Sequence, residues 1–219
     1  MEHLSYQGYL TLREGAEILA KDRFGDKTLL LRDGTSILKL YRVKHLISSA
    51  RFYPYSLRFV HNAKRLLSLG IPTVKVINIY KVPSINRTAV LYEAIKGRSL
   101  PDYIEEETLS EQMAEKLAAF VATLHGRGVY FRAIHFSNII VLPDLKFGLV
   151  DIDDMKFKKR PLNIGKRLRN LGHFLCYESD RELIKPYISA VIRAYTSLSN
   201  LQRRNQEKVK IQLYKQVNP

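Results

Sequence analysis

Apolar and polar positions alternate in short blocks over residues 16–41 and recur at helical spacing from residue 55 onward, so the chain changes character along its length. Ala16–Ala20, Thr28–Leu31 and Ser36–Tyr41 predict three strands. The first pair is separated by the turn Phe24-Gly25-Asp26-Lys27. The second is separated by Asp33-Gly34, a hairpin dipeptide because both residues tolerate positive φ. Lys39 interrupts the third apolar run. After Pro54, the positions Phe59, Ala63, Leu66 and Leu67 predict a helix over Tyr55–Leu69, with Gly70 and Pro72 as stop signals. Val74–Tyr80 and Thr88–Tyr92 predict two more strands around the turn 83–87. The strand run ends at Tyr92-Glu93-Ala94-Ile95, and Gly97-Arg98-Ser99-Leu100 follows.

The second half is mostly helical in pattern. Thr108-Leu109-Ser110-Glu111 reads as a capping box, and Met113, Leu117, Phe120, Val121 and Leu124 form one apolar stripe behind it. His125 ends that helix before Gly126 and Gly128, where nearby carbonyls are expected to satisfy it. Ile139–Leu142 and Phe147–Val150 predict a hairpin around Pro143-Asp144-Leu145-Lys146. Ser179-Asp180-Arg181-Glu182 reads as a second capping box opening a helix with Leu183, Tyr187, Val191, Ile192 and Tyr195 inward. Residues 201–217 predict a basic helix with a thin stripe of Leu201, Val209 and Leu213.

At 219 residues and 46% hydrophobic content the chain can bury a substantial core. It has one cysteine, Cys176, so no internal disulfide forms, which fits a reducing cytoplasm. No apolar run is long enough to predict a transmembrane helix, and the first residues do not read as a signal peptide. No Cys/His cluster suits zinc. A net charge of +15 points to an anionic partner. Lys156, Lys158, Lys159, Arg160, Lys166, Arg167 and Arg169 crowd one stretch without an acid among them. Such a face suits a phosphorylated sugar or glycolipid, an anionic inner-membrane face or a nucleic-acid backbone. Aromatic residues are few in it, which gives base stacking less support.

The chemistry concentrates at the 139–150 hairpin. Asn138 enters it and Asp151 leaves it, which brings an amide oxygen and a carboxylate toward one point. Hard oxygen ligands of this kind suit Mg²⁺ and the phosphates it carries. The stretch Tyr130–Val141 with Leu149–Asp154 resembles the protein-kinase signature H-R-D-L-x-x-x-N followed by D-F-G. Phe131, Arg132, Ala133 and Ile134 stand at its first four positions and Asn138 at its last. Asp151-Ile152-Asp153 falls on D-F-G, close to the D-F-D of small bacterial lipopolysaccharide-core sugar kinases. His135 resembles the second His of the H-x-D-L-H-x-x-N loop in aminoglycoside and choline kinases. Over about residues 16–175 the chain is similar to the small bacterial kinase-like proteins described as toluene-tolerance or lipopolysaccharide-kinase-like.

That resemblance implies an α+β, protein-kinase-like two-lobe fold. Residues 1–95 would form an N-lobe with an antiparallel sheet and one helix, and residues 96–219 a mostly helical C-lobe with a basic C-terminal helix. It implies ATP and Mg²⁺ as cofactors. Lys39 would grip the α- and β-phosphates, backbone groups of Glu93 and Ile95 would pair with the adenine edge, and Asn138 and Asp151 would hold the metal. The sequence departs from the pattern in three places. Ala133 stands where the catalytic Asp is expected, and His135 and Asp153 are the candidate substitutes. No Asp or Glu lies between Tyr41 and Leu91, and Phe59 or Asn62 falls where a helix Glu would pair with Lys39. Only Gly25 represents the glycine-rich loop. Three functions follow: an ATP-dependent kinase acting on a hydroxyl of a lipopolysaccharide-core sugar or similar anionic acceptor, a pseudokinase with a regulatory or scaffold role in envelope biogenesis or solvent tolerance, or an RNA-associated kinase-like protein. The expected location is the cytoplasm, with peripheral contact at the inner membrane.

Overall fold

The computed structural model describes residues 1–43 and 54–218. The chain forms two compact units, Met1–Lys96 and Gly97–Pro219. In the first, the described residues place six strands in one sheet: β1 (Glu2–His3), β2 (Glu17–Asp22), β3 (Gly25–Leu30), β4 (Ser36–Arg42), β5 (Lys75–Val82) and β6 (Arg87–Glu93). Their order is β1-β5-β6-β4-β3-β2, and every pairing is antiparallel except β1 with β5. Among the described residues two helices accompany the sheet, α1 (Tyr6–Arg13) and α2 (Tyr55–Ser68). The β1 strand and α1 have no periodic signature: α1 is only 8 residues long, has a glycine in its first turn, and buries Tyr9 alone.

Strand β4 has an apolar residue on both faces because both faces are covered. Leu38 and Leu40 pack with Tyr9, Leu29, Val82 and Ala89. Lys39 and Tyr41 point the other way, where Tyr41 and Phe59 of α2 lie 6.3 Å apart, centroid to centroid. Phe59 also stacks at 5.1 Å on Tyr92 and is fully buried, so truncation to Ala would cost about 3–5 kcal/mol. Leu67, expected on the α2 stripe, is instead 48% exposed; Val60 takes the inward place beside Ala63 and Leu66. The turn expected at 24–27 is shorter, and β3 starts at Gly25. Asp22 pairs with Gly25 across the ladder, and its Oδ1 accepts the Phe24 N–H at 2.7 Å, closing the hairpin early. At the next hairpin Asp33 Oδ1 accepts from the N–H groups of Thr35 and Ser36, at 2.8 and 2.7 Å.

The second unit begins with β7 (Arg98–Ser99), α3 (Leu100–Glu107), α4 (Glu111–Gly126) and β8 (Val129–Phe131). It continues with β9 (Ile139–Val141), β10 (Phe147–Leu149), β11 (Met155–Phe157), α5 (Ile164–Phe174), α6 (Glu178–Ile184), α7 (Ile188–Leu198) and α8 (Arg203–Val217). Strands β10, β9 and β7 form one small sheet and β11 with β8 another. The Gly97-Arg98-Ser99-Leu100 stretch is explained locally. Gly97 has φ +150°, and a Cβ there would lie 2.3 Å from the Val141 carbonyl oxygen, so only glycine lets β7 reach β9. Ser99 Oγ caps α3 by accepting from Asp102 N–H, and Leu100 is buried.

Both expected capping boxes are corrected. Thr108 terminates α3 at φ +58°, and Ser110 is the cap of α4, accepting from Met113 N–H at 3.2 Å. Ser179 caps nothing; its hydroxyl donates to Asp180, and the helix starts at Glu178. The single helix expected there is two, because Pro186 breaks it into α6 and α7. Met113, Leu117, Val121 and Leu124 line the inner face of α4, with Phe120 half-buried against Phe147. In α8 the stripe is Val209, Leu213 and Val217. Among the described residues no helix is long and apolar enough to cross a membrane.

Candidate active site

The segment from β8 to β9 is anchored by its apolar residues. Phe131, Ile134 and Phe136 are each fully buried, and Phe136 stacks on Phe174 at 5.4 Å. Their insertion fixes the intervening backbone, so the polar side chains of His135 and Asn138 are held in one orientation. Polar clamps act at both ends. Asn170 of α5 donates Nδ2–H to the Phe131 carbonyl at 2.6 Å, and the buried Asp180 of α6 accepts the Phe136 N–H at 3.1 Å. Burial pushes the Asp180 carboxyl above its ordinary range, partly offset by that N–H and by His135.

Asn138 is orientated by two acceptors. Its Nδ2 lies 2.9 Å from the Ala133 carbonyl oxygen, which can only accept, and 3.1 Å from His135 Nε2. Both amide protons are thereby assigned, which leaves the side-chain oxygen as an acceptor. Its backbone carbonyl accepts from Val150 N–H at 3.1 Å, one residue beyond the Ile139–Leu149 pair of the hairpin. Asp151 is the residue after that contact, one position beyond the ladder at the open end. Its backbone sits at φ +51°, the left-handed region that costs a non-glycine residue about 1–3 kcal/mol and recurs at functional sites.

His135 lies edge-on to the Tyr177 ring at 5.1 Å, with Nδ1 buried and without a hydrogen-bond partner. Burial lowers its pKa from the ordinary value, against the pull of the Asp180 and Asp151 carboxylates, so the ring is neutral near pH 7. Accepting from Asn138 then places the ring proton on Nδ1. Asp153 is half-buried in the turn that follows Asp151. Asp154 pairs with Arg132, 3.3 Å away. Ala133 contributes its carbonyl to Asn138 and no side-chain chemistry.

In the first unit, Lys39 is 5% exposed, between Thr28 and Val90 on neighbouring strands. Its Nζ lies 5.4 Å from the Tyr41 ring centroid and 5.2 Å from that of Phe59. Of the two positions considered for a helix Glu, Phe59 thus presents a ring face to the ammonium, and Asn62 is buried. Glu93 ends β6 and its carboxylate forms an exposed pair with Lys75 at 3.1 Å; Ile95 follows, half-buried. The intervening Ala94 N–H donates to Thr35 at 2.7 Å.

Two further expectations change. His125 is fully buried, and its partners are side chains rather than carbonyls: Tyr195 hydroxyl at 2.7 Å from Nδ1 and Asn170 Oδ1 at 2.9 Å from Nε2. Burial drives its pKa down to about 4. Arg167 leaves the basic surface. It is 2% exposed, donates from Nε to the Leu162 carbonyl at 2.8 Å, and approaches Tyr195. Lys156, Lys158, Lys159, Arg160 and Arg169 remain exposed. The sequence does not single out Asn170 and Asp180 as supports of this region and marks Tyr195 only as an inward residue; a polar residue at a helical core position is the signal that marks each.

No curated protein matches the sequence. Among solved structures, monomeric WbdD is similar at 16% identity over 83% of this chain and 43% of that chain, with a TM-score of 0.49. The bifunctional kinase-methyltransferase WbdD is similar at 14% over 87% and 41%, TM-score 0.48. A divergent kinase lacking the glycine-rich loop, which regulates membrane ultrastructure of the Toxoplasma parasitophorous vacuole, is similar at 16% over 85% and 63%, TM-score 0.46. The chain spans less than half the length of the WbdD chains it matches. Its α+β architecture, an antiparallel-rich sheet followed by a helical part, is protein-kinase-like. The sequence profile of the lipopolysaccharide kinase (Kdo/WaaP) family matches residues 20–195, and the chain belongs to that family.

Proposed function

We propose that this chain uses ATP and Mg²⁺ to phosphorylate a hydroxyl of a lipopolysaccharide-core sugar or a similar anionic acceptor. The observation that carries the proposal is the open end of the β9–β10 hairpin. There a doubly anchored amide leaves its oxygen for a cation, and Asp151 follows just beyond the end of the adjacent strand. Family membership supports the nucleotide and the class of acceptor. One amide oxygen and one carboxylate fit Mg²⁺, which takes its remaining ligands from water and phosphate oxygens. When bound, the ion would neutralise charge on the transferring phosphoryl group.

Lys39 supplies the charge for the α- and β-phosphates, and its surrounding rings keep that ammonium in a dry setting where a phosphate contact is strong. Backbone groups of Glu93 and Ile95 hold the adenine edge. Residues 1–95 thus serve the nucleotide, and residues 96–219 the metal and the acceptor. Lys156, Lys158, Lys159, Arg160 and Arg169 attract an acceptor that already carries phosphate, or the anionic membrane face that displays it. The proton acceptor is His135 or Asp153. For His135 to serve, Nε2 must exchange the Asn138 amide for the acceptor hydroxyl.

Ala133 favours a second reading, a pseudokinase that binds nucleotide without turnover. A general base contributes about 10² to 10⁴ in rate, so its loss slows transfer without abolishing it. Incubation with γ-labelled ATP, Mg²⁺ and lipopolysaccharide-core extract separates the two. Label transferred to glycolipid, lost in Asp151→Asn, supports the kinase. Magnesium-dependent binding with no transfer supports the pseudokinase. His135→Ala and Asp153→Asn then show which group takes the proton.

A further inference from the structure

The β2–β3 turn stands where a kinase has a glycine-rich flap over the phosphates, yet Asp22-Arg23-Phe24-Gly25 has a single glycine. Gly25 has φ +113° and open space around it. The rest of the turn is gripped from two sides. Arg87, at the start of β6 with its side chain 5% exposed, donates from Nη1 to Asp22 Oδ2 at 3.3 Å and from Nη2 to Asp22 Oδ1 at 3.0 Å. The same Nη2 donates to the Phe24 carbonyl at 3.0 Å. The Arg42 guanidinium lies 3.3 Å from the Phe24 ring centroid. On the other wall, Asp26 accepts from Arg13 Nε at 2.6 Å and from the Tyr9 hydroxyl at 3.5 Å, both from α1. That helix precedes the 20–195 span of the family match.

A flexible glycine loop must be ordered when it closes on phosphates, and ordering each backbone residue opposes binding by about 1–2 kcal/mol. Here the ordering is built into the fold. Two arginines from different elements fix the two walls of the turn before any ligand arrives, and one of them is buried, bidentate and bonded to a backbone carbonyl as well. We propose that Arg87 and Arg13 are positioning residues that hold the β2–β3 turn as a rigid lid for the nucleotide phosphates, in place of a glycine-rich flap. The inference rests on the kinase reading above. It makes α1, outside the family span, a working part of the nucleotide site.

The test uses the full chain, with Arg87→Lys, Arg13→Gln and Arg13→Lys. Hydrogen exchange of the amides at residues 23–26 is measured without ligand, and Mg-ATP and adenosine affinities are measured by calorimetry. Arg87→Lys keeps the charge and loses the fork. It should speed exchange and weaken Mg-ATP about tenfold or more, as expected for charge-assisted hydrogen bonds, while adenosine affinity stays within about twofold. Arg13→Gln, at an exposed pair, should weaken Mg-ATP about two- to threefold, with Arg13→Lys restoring part of the loss. If Arg87→Lys does not fold, the Arg13 variants carry the test. Faster exchange with unchanged Mg-ATP affinity, equal losses for ATP and adenosine, or unchanged exchange would each overturn the lid. No Mg-ATP binding by the wild type would instead remove the kinase reading, and the lid with it.

Discussion

The two hairpins given roles in the proposed chemistry, one in each unit, are built on different physics. The β2–β3 turn is held by two ion pairs, Arg13 of α1 with Asp26 and Arg87 of β6 with Asp22, and by the Arg42 guanidinium of β4 over the Phe24 ring. The open end of β9–β10 is held by neutral donors and acceptors: the Ala133 carbonyl, a neutral imidazole and the Asn138 amide. Charged pairs near the surface weaken with salt. Buried neutral hydrogen bonds do not, but they leave costly orphans when one member is removed. The β2–β3 turn should therefore respond to ionic conditions, and the Asn138 end of β9–β10 to single substitutions.

The sharpest way to break the Asn138 end is Asp151→Asn. It should lower phosphoryl transfer about a thousandfold, in the range expected when a charge-stabilising group is lost, with the melting temperature unchanged or raised because left-handed φ suits Asn. A steady-state assay with acceptor extract, beside a thermal melt, measures both.

Next in size is a pH effect on the support beneath that end. His125 titrates near 4 in the folded chain, below its ordinary 6.5, so the unfolded chain binds the proton first as pH falls. The stabilisation is complete above pH 6.5 and is lost between 6.5 and 4, by on the order of 3 kcal/mol if nothing relaxes. Denaturant melts at pH 7 and pH 4.5 should show the loss. His125→Gln, which keeps hydrogen-bonding capacity without titrating, should flatten it.

Asp180→Ala comes third. It leaves the buried Phe136 N–H without its acceptor and should cost about 2 kcal/mol, with a matching fall in turnover as the 131–138 segment loosens. Asp180→Asn should cost less, since an amide oxygen still accepts. The smallest effect belongs to Arg13→Gln, which should leave the melt unresolved from wild type in high salt, because the Arg13 side chain is 44% exposed.

Residue types and short spacing made the β9–β10 hairpin and the polar residues at its open end legible in the sequence. Asn138 and Asp151 flank one hairpin whose turn and apolar runs are local signals, and the close approach of Gly97 lies in a stretch that already read as a boundary. Long-range partners were not legible. Asp180 looks like part of a capping box, yet it serves the backbone of a loop 44 residues away. Asn170 and Tyr195 meet His125 across two helices, and Arg167 looks like surface charge until α5 turns it inward. The helix α1 has too little pattern to announce itself, and its role depends on where β3 brings Asp26. Local chemistry shows in a sequence, whereas the contacts that orientate it depend on the fold.

The measurement that tests the central claim most directly is calorimetric titration of ATP into wild type and Asp151→Asn, with and without Mg²⁺. The account predicts binding that needs Mg²⁺ in the wild type and weakens about tenfold or more in the variant, in line with loss of a metal carboxylate. Binding of equal strength in all four titrations, or none at millimolar nucleotide, would contradict it.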